Sequence, residues 1–93
     1  MKVEILYFAD FKDITRKARE FLEIKENTLE GLTSELFSKY NSIKNLIWDD
    51  EIKNLKGNIS IVINDKLMTD KNKGKMKLID GDKVAFLLPF AGG

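Results

Sequence analysis

From residue 84 to residue 93 the chain carries no charged side chain, although 33% of its residues overall are charged. This segment constrains the fold more than any other. Val84-Ala85-Phe86-Leu87-Leu88 is a short apolar run with a β-branched start, the pattern of a buried central strand. Pro89 then removes a backbone donor and resists continuation of the ladder. Phe90-Ala91-Gly92-Gly93 follow. The last two lack a Cβ, so their backbone can take either sign of φ and pass through a narrow slot. A buried strand that leads straight into such an end reads as an arm anchored at one side, with 1–88 as the folded domain and 89–93 as a flexible tail. The reactive group at its tip is the α-carboxylate of Gly93.

Ninety-three residues make one domain with a modest core. A formal charge of +1 argues against a strong nucleic-acid or membrane field. Cysteine and histidine are both absent. Disulfides, thiolate catalysis, histidine general bases and most zinc sites are thereby excluded within the chain. No apolar stretch approaches the roughly 20 residues of a membrane span, and no signal peptide opens the sequence. The expectation is a cytoplasmic protein with no nucleic-acid or membrane partner.

Lys2 to Phe8 alternates, with Val3, Ile5 and Tyr7 on one face and Lys2, Glu4, Leu6 and Phe8 on the other. Ala9 to Ala18 reads as a loop or short helical turn. Arg19 to Ile24 forms a second strand, read with Phe21 inward, although Leu22 and Ile24 fit the opposite face. Asn27 with Glu30 matches a capping box. Leu29, Leu32, Leu36, Phe37 and Tyr40 then recur at helical spacing. Gly31, inside the first turn, costs up to about 1 kcal/mol relative to alanine. Ser42 to Trp48 predicts a short second helix. The acids Asp49-Asp50-Glu51 read as a solvated run rather than a metal site, and Ile52 to Asn58 as an exposed connection. Ile59 to Ile63 is the most β-like run. It turns through Asn64-Asp65 into Lys66 to Thr69. The lysines of Lys71 to Lys77 read as a solvated loop, and Asp80-Gly81 as the turn into the last strand. A helix inserted between two groups of strands gives an α+β plan.

Leu78-Ile79-Asp80-Gly81-Asp82-Lys83-Val84-Ala85-Phe86-Leu87-Leu88-Pro89-Phe90-Ala91-Gly92-Gly93 resembles the C-terminal signature of the MoaD family. These are the small ubiquitin-like sulfur-carrying subunits of molybdopterin synthase. The Asp-Gly-Asp turn, the Val-Ala-Phe strand, the proline and the Ala-Gly-Gly end match in order. Leu88 departs from the pattern where many members have a second proline, and Phe90 where a smaller residue is usual. The resemblance implies a ubiquitin-like β-grasp, a mixed sheet of about five strands packed on one main helix, with first and last strands parallel at its centre.

It also implies the chemistry. Gly93 is adenylated by a ubiquitin-activating-type enzyme that uses ATP and Mg, and sulfur then converts it to a thiocarboxylate. That group enters the large subunit of the synthase, where sulfur passes to a pterin precursor of the molybdenum or tungsten cofactor. Gly92 and Ala91 give slender access and Pro89 stiffens the base of the arm. The chain itself binds no cofactor or metal and is not an enzyme on its own. With strands one and last as neighbours, Leu6 and Phe8 share an outer face with Ala85 and Leu87, and Leu67 joins it from the hairpin. Val84, Phe86 and Leu88 then point under the helix. Phe8, Leu67, Leu87, Pro89, Phe90 and Ala91 are the expected partner contacts. A sulfur carrier for thiamine or transfer-RNA thiolation, a modifier joined through Gly93 to lysines of other proteins, and an inert ubiquitin-like domain are the alternatives.

Overall fold

The computed structural model describes residues 1–69 and 73–88. Its strands and helices follow in the order β1 (Lys2–Leu6), α1 (Asp10–Thr15), β2 (Arg19–Glu23), α2 (Leu29–Lys39), α3 (Asn41–Ile47), β3 (Trp48–Asp49), β4 (Asn54–Leu55), β5 (Ser60–Ile63), β6 (Lys66–Leu67) and β7 (Lys83–Leu87). Among the described residues, five strands form one sheet in the order β2-β1-β7-β5-β6. The central pair, β1 and β7, is parallel, and every other pairing in that sheet is antiparallel. This is the ubiquitin-like β-grasp.

Alternation along the strands sorts the two faces. Val3, Ile5, Leu22, Ile61, Ile63, Val84 and Phe86 point to the covered side, where Leu29, Leu32 and Leu36 of α2 and Ile43 and Ile47 of α3 meet them. Each such side chain contributes roughly 1.5–3 kcal/mol by leaving water. Phe37 and Tyr40 flank this cluster, and Trp48 meets Phe37 edge-on at 5.8 Å between ring centres.

Four local expectations are corrected. Phe21 does not point inward but is 59% exposed. Its register partner is Glu4, while Leu22 pairs with Val3, and directly opposed residues share a face. The cap of α2 is Thr28, whose Oγ accepts from the Gly31 amide at 3.1 Å. Asn27 is drawn away because its carbonyl accepts from Leu78 and Thr28 bridges to Lys77. The expected capping box therefore fails by one position. β1 stops at Leu6, because Phe8 to Phe11 make a tight turn with Ala9 at φ 51 and the Phe11 amide bonded to Phe8 O. The exposed connection after Trp48 holds the small β3–β4 hairpin.

Other features follow the sequence. Asn64 and Asp65 both take left-handed φ values, 50 and 70, as a two-residue type I′ hairpin requires. Gly31 is obligatory rather than a cost, because a Cβ there would lie 2.4 Å from Glu26 O. No helix among the described residues is long and apolar enough to cross a membrane.

Candidate functional site

The site begins with how β7 is held. Hydrogen-bonded neighbours flank it on both sides, β1 in parallel and β5 in antiparallel register. Its entry is clamped by the Asp80-Gly81-Asp82 turn. The Gly81 amide donates to Lys2 O at 2.8 Å, the Lys2 amide to Asp80 Oδ1 at 2.8 Å, and the Glu4 amide to Asp82 O at 2.8 Å. The buried Asp82 carboxylate accepts from Asn64 Nδ2 at 2.8 Å and from the Ile79 amide at 2.9 Å. Gly81 sits at φ 91, which a side chain rarely adopts. One turn thus locks β7 to the start of β1 and to the β5–β6 hairpin. At the other end Leu88 packs, half-buried, against the core. The predicted site residues Pro89, Phe90, Ala91, Gly92 and Gly93 lie outside the described residues.

The face of the sheet turned away from the helices carries an apolar row at one level. Leu6 pairs with Ala85, Ala85 with Val62, and Val62 with Leu67. Leu87 lies two residues beyond Ala85, and Phe8 stands at the turn that follows β1. Phe8 is 50% and Leu67 60% exposed, so neither the segment after Phe8 nor the β3–β4 region covers them. Ala85 is buried, a small floor between larger neighbours, rather than a contact point. The structure therefore brings Leu67 and Leu87 onto one face with Leu6, Ala85 and Val62, while Phe8 is exposed at the turn beyond the end of β1. Val62 and Phe21 belong to the same face and were not anticipated. The signal for Phe21 was the Leu22–Ile24 spacing, which sends it outward. Beside this row, one outer-face position back along β1, lies the buried Glu4, with Arg19 Nη1 3.5 Å from its carboxylate.

A second polar cluster lies on the helix side. The Glu20 carboxylate accepts from Tyr7 Oη at 2.9 Å, Tyr40 Oη at 2.8 Å and Lys17 Nζ at 3.1 Å, and is also met by Lys39 Nζ. Burial pushes the Glu20 carboxyl up, but donors from Lys39, Tyr40, Lys17 and Tyr7 outweigh it and hold the group down to about 2. Burial, then the Glu20 hydrogen bond and charge, push the Tyr7 and Tyr40 hydroxyls up. The cluster joins β1, β2 and the end of α2. All its donors are matched to one acceptor, which marks it as a structural tie rather than a reactive centre.

The acidic run serves local geometry. Asp50 accepts from the Trp48 indole at 3.0 Å and Asp49 from the Glu51 amide at 2.9 Å. Among the described residues no three acids, histidines or cysteines gather as metal ligands. In the lysine-rich stretch, Lys75 and Lys77 are exposed.

A family model described as the ThiS family matches residues 5–93. Comparison with curated proteins returned no match. Among solved structures the chain is similar to SAMP1 from Haloferax volcanii, with 18% identity over 100% of both chains and a TM-score of 0.84. It is also similar to the small archaeal modifier protein 1 from Methanosarcina acetivorans, at 24% identity over 99% of this chain and 96% of that one, TM-score 0.81. A Pyrococcus furiosus protein described as putative molybdopterin converting factor, subunit 1, shares 22% identity over 96% of this chain and 98% of its own, TM-score 0.70.

Proposed function

This chain belongs to the ThiS family, within the MoaD/ThiS superfamily of ubiquitin-like sulfur carriers, and on that premise we propose that it is the sulfur-donating small subunit of a molybdopterin synthase. The observation that carries the reading is β7, a strand fixed on both sides in a sheet with an open apolar face, whose sequence continues through Leu88 into Pro89-Phe90-Ala91-Gly92-Gly93. In this reading the Gly93 carboxylate attacks the α-phosphorus of ATP in an adenylating partner and releases pyrophosphate. The acyl-adenylate is the electrophile that the bare carboxylate is not. Hydrosulfide then adds to the acyl carbon and expels AMP, and loss of the thiol proton leaves a thiocarboxylate, ionised at neutral pH and a good nucleophile toward a pterin precursor. The large subunit supplies the active site for that transfer. Phe8, Leu67 and Leu87 form the docking face, and Glu4 with Arg19 lies beside it.

A second reading, a modifier conjugated through Gly93, is favoured by the likeness to the two small archaeal modifier proteins. One experiment separates them. The chain is incubated with its adenylating enzyme, ATP and a sulfide source, and intact-mass spectrometry follows one oxygen replaced by sulfur at the C-terminus. The thiocarboxylate is then offered to a synthase large subunit and the pterin precursor. Sulfur loss with dithiolene formation is expected. Persistent thiocarboxylate, together with isopeptide adducts on lysines in extract, would establish the modifier instead.

The docking face has its own test. Phe8→Asp is expected to weaken binding of the large subunit by about 2 kcal/mol or more. Its effect on stability should stay within about 1 kcal/mol, because Phe8 is already half exposed to water. Calorimetric titration set beside a thermal melt reads both quantities. A variant that unfolds would show that Phe8 is a core residue.

A further inference from the structure

The outer strand β2 has a free edge. It closes one side of the sheet, and no described residue pairs with its far side. Backbone direction along β2 follows from its pairing with β1. The Tyr7 amide donates to Ala18 O at 2.9 Å and the Ile24 amide to Met1 O at 2.8 Å. Hydrogen-bonded pairs alternate in an antiparallel ladder. Ala18, Glu20, Leu22 and Ile24 therefore turn their amides and carbonyls toward β1, and Arg19, Phe21 and Glu23 turn theirs outward.

Those three residues also have a particular order of charge. Read along the strand, the outer face presents Arg19, Phe21, Glu23, a cation, an aromatic ring and an anion at even spacing. Against an antiparallel copy of itself centred on Phe21, Arg19 lies opposite Glu23 of the copy. Phe21 lies opposite Phe21, and Glu23 opposite Arg19. Every opposed pair is attractive. Edges are commonly blunted by lysine, proline or a bulge; this strand has no lysine or proline, and on its outer face opposite charges stand symmetrically about an exposed ring. The side chains stay largely in water, at 70% exposure for Arg19, 59% for Phe21 and 71% for Glu23, although Arg19 pairs with Glu4 and Glu23 with the N-terminal ammonium at 3.2 Å.

We propose that β2 is a self-association edge, through which two copies of this chain join their sheets by antiparallel pairing of Arg19–Glu23. The two-fold axis stands perpendicular to the sheet, so both apolar outer faces lie on the same side. Strand β1 separates the joint from β7, so the dimer leaves the β7 exit of both copies unobstructed. A joint of five residues per chain is small, and the association is weak and concentration-dependent. The inference is independent of what the C-terminus carries.

Sedimentation velocity over rising concentration of the full chain, with amide hydrogen exchange read residue by residue, tests it. Reversible dimerisation is expected, and with it rising protection of the Arg19, Phe21 and Glu23 amides. Glu23→Arg places arginine opposite Arg19 twice, and self-association should weaken on the order of tenfold or more. Mixing that variant with Arg19→Glu should restore association as a heterodimer. Arg19 also faces the buried Glu4. Should Arg19→Glu not fold, the wild-type exchange pattern together with Glu23→Arg decides the matter. A chain that stays monomeric at every concentration overturns the proposal. So does self-association that Glu23→Arg leaves unchanged, or protection that appears around Leu6 and Leu87 instead.

Discussion

Removal of Gly93 will abolish activation by the adenylating partner and leave the thermal melt of the protein unchanged. Both halves have a physical basis. The last strand of the sheet ends at Leu87, and Gly93 has no side chain to pack, so its loss removes no side-chain contact. Five residues separate Leu88 from the proposed reactive carboxylate and span at most roughly 17 Å when extended. Shortening that reach by one residue withdraws the carboxylate by about 3.4 Å. Attack on phosphorus needs the reacting atoms within roughly 3–3.5 Å, and a 1 Å misplacement can already cost on the order of a hundredfold. ATP–pyrophosphate exchange with the partner enzyme should therefore fall to background. One residue added after Gly93 should do the same, by placing a different carboxylate at a different reach. Normal exchange by the shortened chain would remove the proposed chemistry from Gly93.

The largest effect on stability is expected at Glu20. Glu20→Ala should cost about 2–4 kcal/mol, read by urea denaturation at neutral pH. The cost is uneven among its partners. Lys17 and Lys39 are about half exposed, at 48% and 47%, and water can replace the lost acceptor. Tyr7 is buried at 2% exposure, and its hydroxyl would be left with no described acceptor. The same carboxylate fixes a pH dependence. Its folded value is near 2 against 4.5 for the unconstrained group, so the folded state binds its proton less readily than the unfolded state. The stabilisation is fully present above about pH 4.5 and is lost as pH falls from there toward 2. Glu20→Gln, which cannot ionise, should be less stable at neutral pH and should lack this acid-side decline. Stability curves for the two proteins that run parallel between pH 4.5 and 2 would show that the cluster does not hold the charge.

Much of this was legible in the residues. Val84 to Leu88 and Ile59 to Ile63 announce central strands, Asn64-Asp65 a tight hairpin, and Leu29, Leu32 and Leu36 the covering helix, because each pattern is local. The parallel union of β1 and β7 is not local. No periodicity reports which distant strand lies beside another, and only the resemblance implied it. The Glu20 cluster was hidden by one choice of register. With Leu22 and Ile24 inward, period-two alternation also sends Glu20 inward, where a carboxylate needs donors. A register with Phe21 inward would turn Glu20 to the opposite face, away from Tyr7, Tyr40 and Lys39. The cap at Thr28 was missed for another reason. The preceding residue is tied to the Met76–Leu78 segment across the fold, and a propensity rule sees only neighbours in sequence.

The placement of β7 also bears on how the protein is made. The two strands at the middle of the sheet, β1 and β7, stand roughly eighty residues apart in the chain, so their joining closes almost the longest loop available and comes late. A ribosome extends the chain from the β1 side. Until residues 83–87 have emerged, β1 and β5 have no strand between them, and the row Leu6-Ala85-Val62-Leu67 does not exist. A partner that recognises that row therefore cannot engage a nascent or truncated copy. If that row is the docking face proposed above, synthesis order itself acts as a proofreading step, because the row is completed only when the last strand is in place.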